Sequence, residues 1–441
     1  MPLGYKSVPQ TQTEAIMKKY MIPVAALTTM LSAMPLQATE TPAETENDQV
    51  VTTTVTTTTA DGVTTSVTTT EVKEAASEPK LKVSPTGRIL MDAGVFTSNE
   101  KELFPAGVAI PDVRVGVNAS YGKWSARVDI GFAYAKVSLK DIFFQYTFND
   151  NNALKFGYFI QQFGLQSATS SSMKITMEEP IVNEALNNPR LLGAMYTFDK
   201  DAYFATASVY AESGAMKFNT TEMRKTGYGG MSRLAWRPLR GGADFGGNMF
   251  QTGISFQAGS PQFNGDPSDP DNHVYDISGN FPTRVAKVTA VGAEVEDVNC
   301  MFKFTPELLV AHGPLALEAQ YYYMQLSRRH DLPTYKAYGA YGLLRFLALG
   351  GDYKYSHSDA GIATPAPKSL ELVLGYSYTN TTSAKAGIYG GRAQDLSLTA
   401  NWYINKYMIW RVRAAYTHRF DRMNDPDINL GALQTRFQII F

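Results

Sequence analysis

Cysteine is almost missing from this chain. The single one, Cys300, excludes an intramolecular disulfide and any thiolate metal site. Long apolar runs are missing too. After the first few dozen residues nothing approaches the roughly 20 apolar residues of a membrane helix, so a membrane span has to be built from strands. Neither sign of charge dominates: 40 Lys and Arg against 41 Asp and Glu leave no general case for a nucleic-acid partner. Catalytic motifs are also lacking. His273, His312, His330, His357 and His418 are scattered without context, and Gly229-Gly230 and Gly390-Gly391 lack the strand-to-helix setting of a phosphate cradle. A rim-sited hydrolase is the competing enzymatic idea, but the chain reads as a non-enzyme with no catalytic residues, metal or cofactor.

What is present is alternation. Leu396, Leu398, Ala400 and Trp402 share one parity, while Asp395, Ser397, Thr399 and Asn401 share the other, the period of a strand with one apolar face. After a turn at Asn405-Lys406, Met408, Trp410, Val412, Ala414 and Tyr416 alternate with Arg411, Arg413 and Thr417. The last segment sets Leu433, Thr435, Phe437, Ile439 and Phe441 against Gln434, Arg436 and Gln438. A soluble two-layer sheet shows the same alternation. Aromatics at strand ends, Gln and Arg on the inner parity and a terminal Phe together favour an outer-membrane barrel, lipid outside and water inside. A terminal Phe on such a strand also resembles the signal read by the barrel-assembly machinery.

Three regions are expected. Residues 1–38 read as a signal peptide whose true start is Met17, with Lys18-Lys19, a short apolar core and Ala38 at the cut. Residues 39–85, rich in Thr, Val and Glu with almost no aromatics, read as a disordered periplasmic spacer, with an added strand or a wall-contacting segment as the alternative. Residues 86–441 read as the barrel. Alternating segments recur around residues 87–92, 113–119, 124–132, 137–148, 154–160, 191–198, 202–211, 301–310, 315–323, 336–346 and 370–378. With the C-terminal three they make fourteen, which within a margin of two strands indicates an all-β, transmembrane antiparallel barrel of about sixteen strands. Long polar stretches at 161–190, 212–230 and 260–297 alternate with short turns, as a barrel with one short-turn end requires.

The inner parity carries the chemistry: Arg114, Arg127, Lys155, Arg411, Arg413 and Arg436 against Asp129, Glu318, Glu371 and Asp395. Rings of Arg and Lys in a narrowed pore favour anions, although each charge could instead pair across the wall. Arg411 and Arg413 lie about 6.8 Å apart along one wall. Lys174 and Arg190, both in the long stretch 161–190, are placed to guard the entrance, and Glu178 and Glu179 in the same stretch oppose them.

Gly87-Arg88 with Asp92, Val137-Ser-Leu-Lys-Asp141, Leu154-Lys-Phe-Gly157 with Phe163-Gly-Leu165, Ile175-Thr-Met-Glu178, Arg190-Leu-Leu-Gly193, Asn401-Trp402-Tyr403 and the Phe441 end occur in the order of the phosphate- and pyrophosphate-selective porin family, porins O and P, which the chain resembles after about Pro85. The resemblance implies a sixteen-stranded homotrimer whose third loop, residues 161–190 here, folds into the pore, and a preference for phosphate-like anions carried by lumen Arg and Lys. Glu179, where the family often has Arg, works against that preference. The expectation is a Gram-negative outer-membrane diffusion channel, surrounded by outer-membrane lipid and biased toward small anions. A general or sugar-accepting porin, and a plugged structural or binding barrel, are the alternatives.

Overall fold

The computed structural model describes residues 50–58, 64–72, 79–169, 173–187, 190–212, 226–263 and 272–441. The chain divides into Met1–Glu78 and Pro79–Phe441. The first unit holds one antiparallel hairpin, β1 (Val50–Thr58) against β2 (Thr64–Val72). Residues 39–85, expected to be disordered, therefore contain strands: runs of β-branched Thr and Val favour extended backbone and here find each other. The expected signal peptide, residues 1–38, lies outside the described residues.

The second unit is built from β3 (Lys82–Ser98), β4 (Gly107–Tyr121), β5 (Trp124–Gly131), β6 (Ser138–Asn149), β7 (Asn152–Phe159), β8 (Leu191–Lys200), β9 (Tyr203–Ala211), β10 (Tyr228–Arg240) and β11 (Asn248–Ser260). It continues with β12 (Tyr275–Asn280), β13 (Thr289–Val295), β14 (Val298–His312), β15 (Leu315–Arg328), β16 (Tyr335–Leu349), β17 (Tyr355–Ser356), β18 (Gly361–Ile362), β19 (Ser369–Ser383), β20 (Ile388–Tyr403), β21 (Met408–Arg422) and β22 (Ile428–Ile440). All but β12, β13, β17 and β18 join one closed antiparallel barrel of sixteen strands, sequential neighbours pairing and β22 returning to β3. Closure leaves no ladder edge inside the membrane.

Alternation places the side chains as the sequence indicates. Leu396, Leu398 and Trp402 are exposed outward, while Asp395, Ser397, Thr399 and Asn401 are buried inward. At one end Tyr121, Trp124, Tyr146, Trp402 and Trp410 ring the outer face, beside turns as short as Gly122-Lys123. The first and last strands of the barrel meet there: Gly87 and Phe441 exchange backbone hydrogen bonds of 2.8 and 3.0 Å. The Phe441 ring lies over Gly87, where an added Cβ would come within 2.2 Å of it.

Three connections fold inward. From the long-loop end, the segment between β7 and β8 carries α1 (Gly164–Ala168) and α2 (Ile181–Leu186), and the segment between β11 and β14 carries the β12–β13 hairpin. Ile181, Val182 and Leu186 are fully buried with Tyr322, Met324 and Tyr335 of the wall and with Phe281, Ala290 and Val291. Each such aliphatic side chain contributes roughly 1.5–3 kcal/mol of burial. The third connection was unexpected. Residues 350–368, at the end where other turns are short, turn back into the lumen with β17 and β18, and Arg233 donates to the Ala360 carbonyl at 2.9 Å.

Candidate functional site

The inner face of the barrel has a dry side and a wet side. From β10 round to β22 the inward polar groups are buried, and most of the charged ones are paired, buried Lys303 excepted. Arg233 forms a two-pronged pair with Glu307, at 3.0 and 2.7 Å, and Arg345 reaches Glu371 at 2.8 Å. Glu371 also accepts from Tyr353, Tyr403 and Asn401. Tyr355 of the short-end loop donates to Gln251, and Arg237 pairs with Asp199.

Three arginines expected to line the passage belong to this dry side. Arg411 and Arg413 are 1% and 2% exposed. Arg411 donates to the Lys174 carbonyl, and Arg413 grips Asp395 at 2.9 and 2.7 Å while also donating to the Pro282 carbonyl. Arg436 pairs with Asp92 and Glu178 and donates to the Met177 carbonyl. All three point inward, as their parity requires, but the inward-folded loops lie over them. They bind loop to wall. Lys174 is likewise enclosed, donating to the Gln166 carbonyl and lying 3.8 Å from Glu179.

The two loop acids that opposed an anion preference are neutralised in place. Arg284, from the β12–β13 connection, donates to Glu178 at 3.0 Å opposite Arg436. Burial pushes the Glu178 carboxyl up, but Arg436 and Arg284 outweigh it and hold the group below its ordinary range. Glu179 accepts from Asn183 and faces Lys174.

The wet side runs along β5, β6 and β7, where inward Arg127, Lys140, Phe143, Gln145 and Lys155 are half-buried. The helices α1 and α2 pack instead on β11, β14, β15, β16 and β19 of the wall. Together with the adjoining β3 and β4, where Arg88, Arg114 and Asp112 are buried, six cations meet three carboxylates. Arg88 and Arg114 stand directly opposite on β3 and β4, with Asp112 accepting from both. Arg190, where the third loop ends, holds Asp141 at 3.2 and 3.0 Å, and Arg114 approaches the same carboxylate at 3.9 Å. Arg127 donates to Asp129 at 2.9 Å with 40% of its side chain exposed. Lys155 sits over the Phe143 ring at 4.5 Å. Lys140 extends across Gly131.

Of the residues singled out from sequence, the structure thus gathers Arg114, Arg127, Lys155 and Arg190 on the wet side. Arg88, Asp112, Lys140 and Asp141 were missed there. A register shift between Val128 and Ile130 turns the adjacent residues Lys140 and Asp141 both inward, and such a bulge breaks the parity that sequence reading uses. Arg233 and Glu307 on the dry side were also missed. The alternation of Arg233 and Arg237 with Leu234 and Trp236 was the available signal.

The profile of the family described as phosphate-selective porin O and P matches residues 83–441. No curated protein matches the chain. Among solved structures, a loop L8 deletion mutant of OmpT, an outer membrane protein of Vibrio cholerae, superimposes with a TM-score of 0.53 at 11% identity, covering 81% of this chain and 99% of its own. The trimer form of OmpT from the same organism gives 0.51 at 10%, covering 81% and 99%. An anion-selective porin from Comamonas acidovorans gives 0.51 at 10%, covering 82% and 100%. At these identities the likeness speaks to the fold.

Proposed function

Because the chain belongs to the phosphate-selective porin O and P family, and so forms a diffusion channel of the Gram-negative outer membrane, we propose that its passage runs along the wet side of the lumen and favours small phosphate-like anions. The observation that carries this is the imbalance there: Arg88, Arg114, Arg127, Lys140, Lys155 and Arg190 against Asp112, Asp129 and Asp141. A narrowed, low-dielectric wall focuses that excess on a passing ion. Guanidinium forks suit phosphate oxygens, and half-buried Lys140 and Arg127 are placed to exchange water for ligand.

The rest of the reading follows the same premises. Residues 1–38 act as a signal peptide, and residues 39–85 lie in the periplasm, which fits β3 starting at the short-turn end. The barrel assembles as a homotrimer in outer-membrane lipid, inserted by the barrel-assembly machinery that reads the Phe441 end. A plugged binding barrel is the second reading, favoured by the three connections packed inside.

Reversal potentials in a salt gradient test the selectivity. Wild type is expected to prefer anions, and Lys140→Glu with Arg127→Glu to shift the potential toward cations, while Arg413→Met leaves the sign unchanged. Cation preference in wild type overturns the anion reading. Absence of any conductance supports the plugged barrel.

A further inference from the structure

The outer face of the barrel is uneven at its long-loop end. Phe256, Phe304, Tyr323 and Tyr338 stand directly opposite one another on β11, β14, β15 and β16, a rung of outward rings across four strands. The Tyr323 hydroxyl donates to Gln325, which lies one outward position nearer the loops. Opposite Gln325 stands Lys336, exposed and about 6.8 Å along the strand from Tyr338. The Lys336 amide donates to Ser383 at 3.3 Å, which brings exposed Lys385 of the following turn beside it. Arg329 follows β15 directly, two residues past Ser327, and is partly exposed.

None of these three cations forms an ion pair among the described residues. The carboxylates around them are engaged or displaced: Asp421 pairs with Arg392 at 3.0 Å, and Asp297 lies 3.5 Å from the His330 ring. Asp331, in the same turn as Arg329, offsets part of the charge. Exposed cations just above a tyrosine belt on the outer wall are matched by an amphiphile with phosphate at that depth.

We propose that this arc, from β11 to β19, holds a phosphorylated glycolipid of the outer leaflet. Acyl chains lie against the Phe256 to Tyr338 rung, sugar hydroxyls meet Gln325, Ser327 and the tyrosine hydroxyls, and phosphates sit on Lys336, Lys385 and Arg329. Aromatic residues with a polar tip suit such a boundary. Each cation near an anionic headgroup is expected to raise affinity about fivefold. The site is separate from the lumen, so its failure leaves the permeation reading standing.

The test is native mass spectrometry of the purified full-length protein titrated with a bisphosphorylated diglucosamine glycolipid, its dephosphorylated form and phosphatidylglycerol. Wild type is expected to retain the phosphorylated glycolipid best. The variant Lys336→Glu, Lys385→Glu, Arg329→Glu should lose it by more than tenfold, while Lys101→Glu with Lys136→Glu, on distant exposed loops, should not. Retention that ignores the phosphates, that is equal for phosphatidylglycerol, or that survives the triple variant overturns the proposal. Heat-modifiable migration checks that each variant has folded.

Discussion

Arg411 and Arg436 stand directly opposite each other on β21 and β22, both buried, so two like charges share one rung of the wall. Such a pair is unfavourable alone. Asp92 on β3 and the third loop make it tolerable, the loop through the carbonyls of Lys174 and Met177 and the carboxylate of Glu178. Loop position and wall charge are therefore one structural unit.

Removing one partner should expose that dependence. Arg436→Ala leaves Asp92 and Glu178 buried with less compensation, a loss expected to cost roughly 3–5 kcal/mol locally. Single-channel recordings should show a larger, noisier conductance than wild type. An unchanged, quiet conductance would mean the loop is held by apolar burial alone.

Acid should release the same loop. The Glu178 carboxyl is held below its ordinary value of 4.5 by Arg436 and Arg284 against the effect of burial. A depressed carboxylate contributes stability above that ordinary value and loses it as pH falls through the lower, folded-state value. Conductance is expected to be flat from neutral pH down to the ordinary value of 4.5 and to change only below it. Glu178→Gln should show the acid-state conductance already at neutral pH, which a pH series on both proteins checks.

The inward loop at the short-turn end should restrict flow independently. Replacing residues 354–363 by a short Gly-Ser turn removes the groups that meet Arg233, Gln251 and Arg237. Conductance should rise with the third loop still in place. No rise would locate the narrowest point wholly above this loop.

Gly87→Val should impair the seam between β3 and β22, because its side chain would enter the space of the Phe441 ring. Assembled protein, read as the heat-modifiable band, is expected to fall severalfold without loss of synthesis. Phe441→Ala in the same background should restore part of it by making room.

Period-2 alternation made β20 to β22 legible down to the direction of each side chain, because lipid and lumen impose opposite demands on successive residues. It said which residues face inward and nothing about what covers them. Arg411, Arg413 and Arg436 were rightly read as inward but lie under the loops, since loop paths are set by packing of residues such as Ile181 and Val182 far from them in sequence. Lys140 and Asp141 escaped for a local reason: the bulge beside Ile130 puts neighbours on one side. The turn back of residues 350–368 rests on Arg233 and Gln251 meeting backbone carbonyls, which no side-chain pattern records.

The seam between β22 and β3 joins residues more than three hundred positions apart, as the pairing of Arg436 with Asp92 illustrates. Every other rung in the ring joins strands that follow one another, so local hairpins can form early and cheaply. Closing the ring must wait until β22 is available to pair with β3, and it carries the largest loop-closure cost in the barrel. Until then β3 and β22 are open edges, which makes the unclosed sheet the aggregation-prone species and the time to closure the interval over which a holding factor in the periplasm matters most.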